Sequence, residues 1–162
     1  MADKPRLKER YETELRPSLM ERFGYENLHQ APTIEKVCVN MGVSDARSGP
    51  DAGQAMDDAV RIMSIVVGQR PAIRKARKSV ASFGVRAGMT VGCAATLRGA
   101  RAWEFVDRLF SVALPRIRDF RGLKRNAFDG RGNYSLGMTD LLVFPELSYD
   151  EMKTQRGMDI TI

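Results

Sequence analysis

Acidic side chains are missing from one long stretch of this chain. Between Ala59 and Trp103 there is neither Asp nor Glu, although the 162 residues hold 20 of them. Histidine occurs once, at His29, and cysteine twice, at Cys38 and Cys93. So few ligands at such spacing exclude a sequence-encoded zinc site and a disulfide framework, and they fit reduced thiols in a cytoplasmic setting. No apolar run approaches the roughly 20 residues that span a bilayer. The N-terminus, "MADKPRLKERYETEL", is charged and lacks the apolar stretch of a secretory signal. Internal repeats and low-complexity tracts are absent, so a solenoid is not expected.

What fills the acid-free stretch is positive charge: Arg61, Arg70, Arg74, Lys75, Arg77, Lys78, Arg86, Arg98 and Arg101. Solvated charge runs usually mix signs. A stretch of one sign, in a chain of net charge +6, points to a polyanion, nucleic acid before an anionic membrane surface. The arm Arg70–Gly88 lacks a sustained amphipathic face, which argues against the membrane. Its small residues, Ser82, Gly84, Ala87 and Gly88, offer little to pack, so mobility is expected there.

The length suits a single domain over 1–162 with a core of its own and a projecting loop at about 72–88. Leu7, Tyr11, Leu15, Leu19 and Phe23 recur every four residues, predicting an amphipathic helix that Pro17 kinks and Gly24 ends. In "TIEKVCVNMGV" alternation puts Val37, Val39 and Met41 on one strand face and Lys36, Cys38 and Asn40 on the other. "SDARSGPDAGQ" reads as a loop. Met56, Val60, Met63 and Val67 mark a helix with Asp57 and Asp58 in its first turn. "MTVGCAATLRG" predicts a strand with Met89, Val91, Cys93, Ala95 and Leu97 inward and Thr90, Ala94, Thr96 and Arg98 outward. Trp103, Val106, Phe110 and Ala113 mark a further helix stopped near Pro115. "LLVFPEL" and "GMDITI" are the remaining predicted strands. Elements in this order predict an α+β fold: a mostly antiparallel sheet, helices packed on one face, and an open polar and basic face presenting Lys36, Asn40, Thr96 and Arg98.

Catalysis finds little to use. His29 sits in the turn "ENLHQAP" without an adjacent Asp or Cys and reads as an exposed turn residue rather than a general base. Cys93 falls in the core; Cys38 falls on the outer face and needs a basic neighbour to be a nucleophile. "DGRGNYSLG" lacks the Lys-Ser/Thr of a phosphate loop and the dinucleotide spacing, so it reads as a turn leading into a strand. The alternative to a binding protein is a nucleic-acid-modifying enzyme that uses the same basic surface, with Cys38 or His29 beside an acid or base in a cleft. No cofactor and no metal are expected.

Several longer strings carry more. "ALPRIRDFRGL" at 113–123, "FDGRGNYSLG" at 128–137, "EKVCVNMGV", "IRKARKS", "TLRG" and "RGMDITI" occur in an order that resembles the bacterial large-subunit ribosomal protein L-five family over nearly the whole chain. The resemblance implies a non-catalytic protein of the ribosomal central protuberance. It implies that Asn40, Gln69 and Thr96 meet 5S rRNA, with Lys36 and Arg98 on the same face. A basic loop, with Arg74, Lys75, Arg77, Lys78, Ser79 and Arg86, would reach the peptidyl-site tRNA. Large-subunit rRNA, neighbouring protuberance proteins and a small-subunit head protein across an intersubunit bridge complete the implied partners, with no membrane among them. Departures from the family pattern are Ala94, Gly84 and Ala87, where lysine, lysine and glutamate are common. Relatives also continue past the position of Ile162 with more strand and a helix, so apolar surface is expected to be exposed near that end.

Overall fold

A computed structural model describes residues 4–45, 52–149, 152 and 154–162. Its centre is a five-stranded sheet in the order β2-β3-β1-β5-β4, with every neighbouring pair antiparallel. The strands are β1 (Lys36–Gly42), β2 (Ala72–Lys75), β3 (Thr90–Arg98), β4 (Ser135–Met138) and β5 (Met158–Thr161). The alternation in β1 is as the sequence predicts: Val37, Val39 and Met41 are wholly buried, while Lys36 and Asn40 are exposed. In β3, Cys93, Ala95 and Leu97 face the same core, and Thr96 and Arg98 face away from it.

Helices cover that inner face. α3 (Ala52–Val67) contributes Met56, Ala59, Ile62, Met63, Val66 and Val67 to the core, and α4 (Ala100–Arg108) contributes Ala102, Phe105 and Val106. The loop expected at 44–54 falls largely at positions 46–51, outside the described residues. Since α3 already runs from Ala52, Asp57 and Asp58 lie beyond its first turn, not within it. After α4 the chain makes a π-helical turn, Leu109–Ala113. The wider turn rotates the apolar stripe, so Leu109 is buried and Phe110, expected inside, is 43% exposed.

Two further differences have clear causes. The predicted kink at Pro17 takes the form of a π-helical turn, Tyr11–Leu15, between α1 (Arg6–Arg10) and α2 (Arg16–Phe23). Pro17 thus sits in the first turn of α2, where a missing N–H costs little. Gly24 ends α2 in the left-handed conformation, φ 65°. "LLVFPEL" is no strand. Phe144 N–H donates to Leu141 O (3.1 Å) and Leu147 N–H to Phe144 O (3.2 Å), making two successive turns. Leu141, Val143, Phe144 and Leu147 are nonetheless buried, and Phe144 stacks on Phe105 at 6.3 Å. An apolar run with a proline and no alternation can fill a core without joining a ladder.

α1 rests on the outside of α4. The rings of Tyr11 and Trp103 lie 5.2 Å apart, and the Tyr11 hydroxyl donates to Pro32 O at 2.8 Å. Arg6 donates to Asp107 through Nη2 (2.7 Å) and Nε (3.2 Å). Those bonds, helped by Ser111, hold the Asp107 carboxyl below its usual range. A depressed carboxylate contributes stability above its unfolded pKa and loses it as pH falls through the folded value. Asp107→Asn is therefore expected to be less stable than the parent at pH 7, with the difference shrinking as pH falls below the ordinary value of 3.8 towards the lower folded value. Urea melts at pH 7 and pH 3 check this; an equal deficit at both pH values would contradict it.

Candidate nucleic-acid interface

Opposite the helices, the sheet is open, and its register arranges outward side chains in rows. Ser135, Thr161, Cys38 and Thr96 are successive cross-strand partners over β4, β5, β1 and β3. Hydroxyls of Ser135 and Thr161 are 3.2 Å apart, and Cys38 Sγ is 3.9 Å from Thr96 Oγ1. The next row is Gly137, Asp159, Asn40, Ala94 and Ala72. Asn40 and Thr96 are diagonal neighbours on adjacent strands, and both are exposed. At one end Lys36 and Arg98 face each other directly. Like charges so placed repel, and among the described residues Arg98 is paired with Glu35 at 3.6 Å, with both side chains mostly in solvent. A polyanion would turn that repulsion into attraction.

Gln69 lies where α3 gives way to β2, and its Oε1 accepts from Arg101 Nη1 at 3.3 Å. It therefore borders the end of β3 that carries Arg98 rather than standing on the sheet itself. Arg74 and Lys75 belong to β2, so the projecting loop expected from position 72 begins as paired strand. Beyond it the arm is a hydrogen-bonded hairpin. Ala76 N–H donates to Met89 O (2.8 Å), Gly88 N–H to Ala76 O (2.9 Å), and Val80 and Val85 form a bridge. Ser79 Oγ accepts from Ala87 N–H at 2.9 Å, which makes it a latch within the arm. Arg77, Lys78 and Arg86 are exposed along it.

Chemistry of the catalytic kind is not assembled here. Cys93 is buried, its thiol 3.6 Å from Met63 Sδ, and burial pushes its pKa up. Cys38 meets Thr96 and no base. His29 is exposed in the 3-10 turn Leu28–Gln30, which Asn27 caps. Among the described residues no three potential ligands come together for a metal. In "DGRGNYSLG" the Asp129 carboxylate accepts from the N–H groups of Arg131 (2.8 Å) and Asn133 (3.1 Å) and from Asn133 Nδ2. These bonds lower its pKa and occupy the loop's N–H groups with a carboxylate, so they are not offered to a phosphate. An apolar groove does lie beside the last strand, lined by Tyr11, Trp103, Phe128, Tyr134 and Ile162, with Glu35 and the cations Lys36, Lys124, Arg125 and Arg131 also in its lining.

The sequence reading missed part of the open face. Ser135, Asp159 and Thr161 reach it only because β1 lies between β3 and β5, an order that no local pattern announces. It also passed over a second basic surface: Arg116, Arg118, Arg121, Lys124, Arg125 and Arg131 are all exposed, beside partly exposed Phe120, Leu123 and Phe128. Asp119 and Asp129, interleaved with those cations, hid the excess.

Residues 27–86 match the family Ribosomal protein L5, and residues 90–162 match the ribosomal L5P family C-terminus. The large ribosomal subunit protein uL5 of Ruminiclostridium cellulolyticum is 54% identical over 155 residues, covering 96% of this chain and 84% of that protein. The chain belongs to the ribosomal L5 family. Proteins of the same name from a Thermoanaerobacter species and from Rubrobacter xylanophilus are 51% and 53% identical over 157 residues, with 97% of this chain and 86% of each relative covered. Membership in the L5 family makes the chain a ribosomal protein and not an enzyme, which removes the alternative of a nucleic-acid-modifying activity. It also places the chain in the cytoplasm, with the ribosome.

Proposed function

We propose that this L5 family member is a structural constituent of the large ribosomal subunit that binds 5S rRNA at the central protuberance with the open face of its sheet. The arm contacts the peptidyl-site tRNA, and exposed surface elsewhere meets large-subunit rRNA, neighbouring protuberance proteins and a head protein of the small subunit. The observation that carries the reading is the composition of the open face: the neutral hydrogen-bonding groups of Asn40, Thr96, Ser135 and Thr161, the carboxylate of Asp159 across from Asn40, and the Lys36–Arg98 pair at its end. Neutral donors and acceptors suit ribose hydroxyls and base edges, whereas cations at the rim hold phosphates without reading them. Asp159 beside Asn40 fits the same division, since a carboxylate repels phosphate and accepts from a hydroxyl or an amino group.

Binding of the purified chain to a 5S rRNA transcript is expected to exceed binding to an unrelated hairpin. It should weaken with salt by about 0.7–0.9 log units per log unit of salt for each phosphate neutralised. Lys75→Ala with Lys78→Ala is expected to spare 5S rRNA binding and to weaken tRNA binding. Filter binding between 50 mM and 200 mM salt measures both. Equal affinity for any hairpin, or loss of 5S rRNA binding in the double variant, would overturn the assignment of surfaces.

A further inference from the structure

We propose that the apolar groove beside the last strand is a docking site for an acidic amphipathic helix of another polypeptide. The groove encloses about 810 Å³. It adjoins the open face at Lys36 and Cys38, but it is built mainly from the N-terminal helices, α4 and the segment 123–134, away from the arm. Leu15, Phe110, Leu123 and Phe128 line it and are 41%, 43%, 37% and 59% exposed. Walls so open would leave much of a small molecule in water, whereas small-molecule pockets bury most of their ligand.

The shape suits a helix. Leu7, Tyr11 and Leu15 line the groove at four-residue spacing, and Trp103, Val106 and Phe110 line it at helical spacing from α4 and the π-helical turn behind it. The rings of Tyr11 and Trp103 are 5.2 Å apart, so these two apolar ridges run against each other. The furrow between two such ridges is where a third helix seats its own apolar stripe. The aliphatic members of the ridges give a nucleobase nothing to stack on, but each adds area for an apolar helix face.

The rim selects the charge of the partner. Lys36, Lys124, Arg125 and Arg131 line the groove and are exposed, and among the described residues none of the four is in an ion pair. Glu35, the acid in the lining, lies 3.6 Å from Arg98 and so already has a cation. Asp129 turns its carboxylate to the N–H groups of Arg131 and Asn133. An apolar floor with an unneutralised basic rim matches a helix with apolar residues at i, i+3, i+4 and i+7 and Asp or Glu beside that stripe. Opposite charge at the rim speeds and orients such docking, while the buried stripe holds the helix in place.

The test uses the full chain and a synthetic peptide of about 18 residues, long enough to be helical, with Leu at i, i+3, i+4 and i+7 and Glu beside them. A second peptide carries Lys in place of each Glu, and neither contains an aromatic residue. Trp103 is the chain's only tryptophan and lines the groove, so its emission reports occupancy without a label. The acidic peptide is expected to shift that emission saturably and to bind about tenfold or more tighter than the basic one. Arg125→Glu/Arg131→Glu should reverse the preference, because both side chains are exposed and the fold does not need them. Leu15→Ser/Phe110→Ser should weaken the acidic peptide by about tenfold with little change in melting temperature, as apolar area is lost from the groove. No saturable shift with the acidic peptide, or equal affinity of the parent for both peptides, would overturn the proposal. So would a 5S rRNA transcript that changes Trp103 emission and loses its hold in Arg125→Glu/Arg131→Glu while the peptide fails to bind, which gives the groove to RNA. A parent dimer that Leu15→Ser/Phe110→Ser converts to monomer would give it to a second copy of the chain instead.

Discussion

Gly92→Ala is expected to destabilise the protein by about 3 kcal/mol, lowering its melting temperature by roughly 6–12 °C. Gly92 is buried in β3, between β1 and β2, opposite Gly42 and Arg74. A Cβ built there would come 2.3 Å from the carbonyl oxygen of Met41 and 3.3 Å from Cα of Gly42. Both are backbone atoms of a paired strand, so no rotamer change relieves the overlap. β1 must move away from β3 at the place where Val43 N–H donates to Val91 O at 3.0 Å. Met41 in β1 and Val43 just after it are both wholly buried, so displacing the strand opens the core as well as the ladder. Gly42→Ala is the control. It faces Gly92 in the register but meets nothing within 4 Å, so its expected cost is within about 0.5 kcal/mol. Thermal and urea melts of the two variants decide the matter. A Gly92→Ala protein as stable as Gly42→Ala would show that the strands separate freely here.

The same crowding shows why part of this fold is readable in a linear sequence and part is not. Alternation in β1 and β3 is a local property of a strand that buries one face, so Val37, Val39, Met41, Cys93, Ala95 and Leu97 could be assigned inward from spacing alone. The outward positions of Asn40 and Thr96 follow from the same parity. Their adjacency does not: it depends on β1 pairing with β3 across more than fifty residues of chain and on a register that sets Cys38 opposite Thr96. Phe110 was misplaced because a 3.6-residue period was carried through a π-helical turn that does not keep it. "LLVFPEL" was read as a strand because a short apolar run signals burial without stating the backbone that achieves it. The arm's cations stood out because no acid interrupts them. The equally exposed run from Arg116 to Arg131 did not, because two aspartates sit inside it.

Replacing Asn40 and Thr96 together by alanine is expected to weaken 5S rRNA binding by about 100-fold. Each substitution leaves a desolvated RNA group without its partner, at about 1–3 kcal/mol, and about 1.4 kcal/mol corresponds to tenfold in affinity. Both side chains point away from the core, so the melting temperature should shift little; the loss then belongs to the interface and not to the fold. The salt dependence separates this from a general weakening. Neutral groups release no counterions, so Asn40→Ala/Thr96→Ala should keep the parental slope. Lys36→Ala/Arg98→Ala should reduce it by about 1.4–1.8, as two phosphate contacts are lost. Asp159 distinguishes phosphate from a hydroxyl or amino group as the bound partner. It lies directly across from Asn40 on β5, and if phosphate were the group bound there, Asp159→Asn would tighten 5S rRNA binding by removing a repulsion. If instead a ribose hydroxyl or base amino group is bound, Asp159→Asn should weaken it, because a charged acceptor gives way to a neutral one. Tighter binding in Asp159→Asn, together with an unchanged affinity in Asn40→Ala/Thr96→Ala, would mean that the open face holds only backbone charge and that discrimination of the RNA lies elsewhere on the molecule.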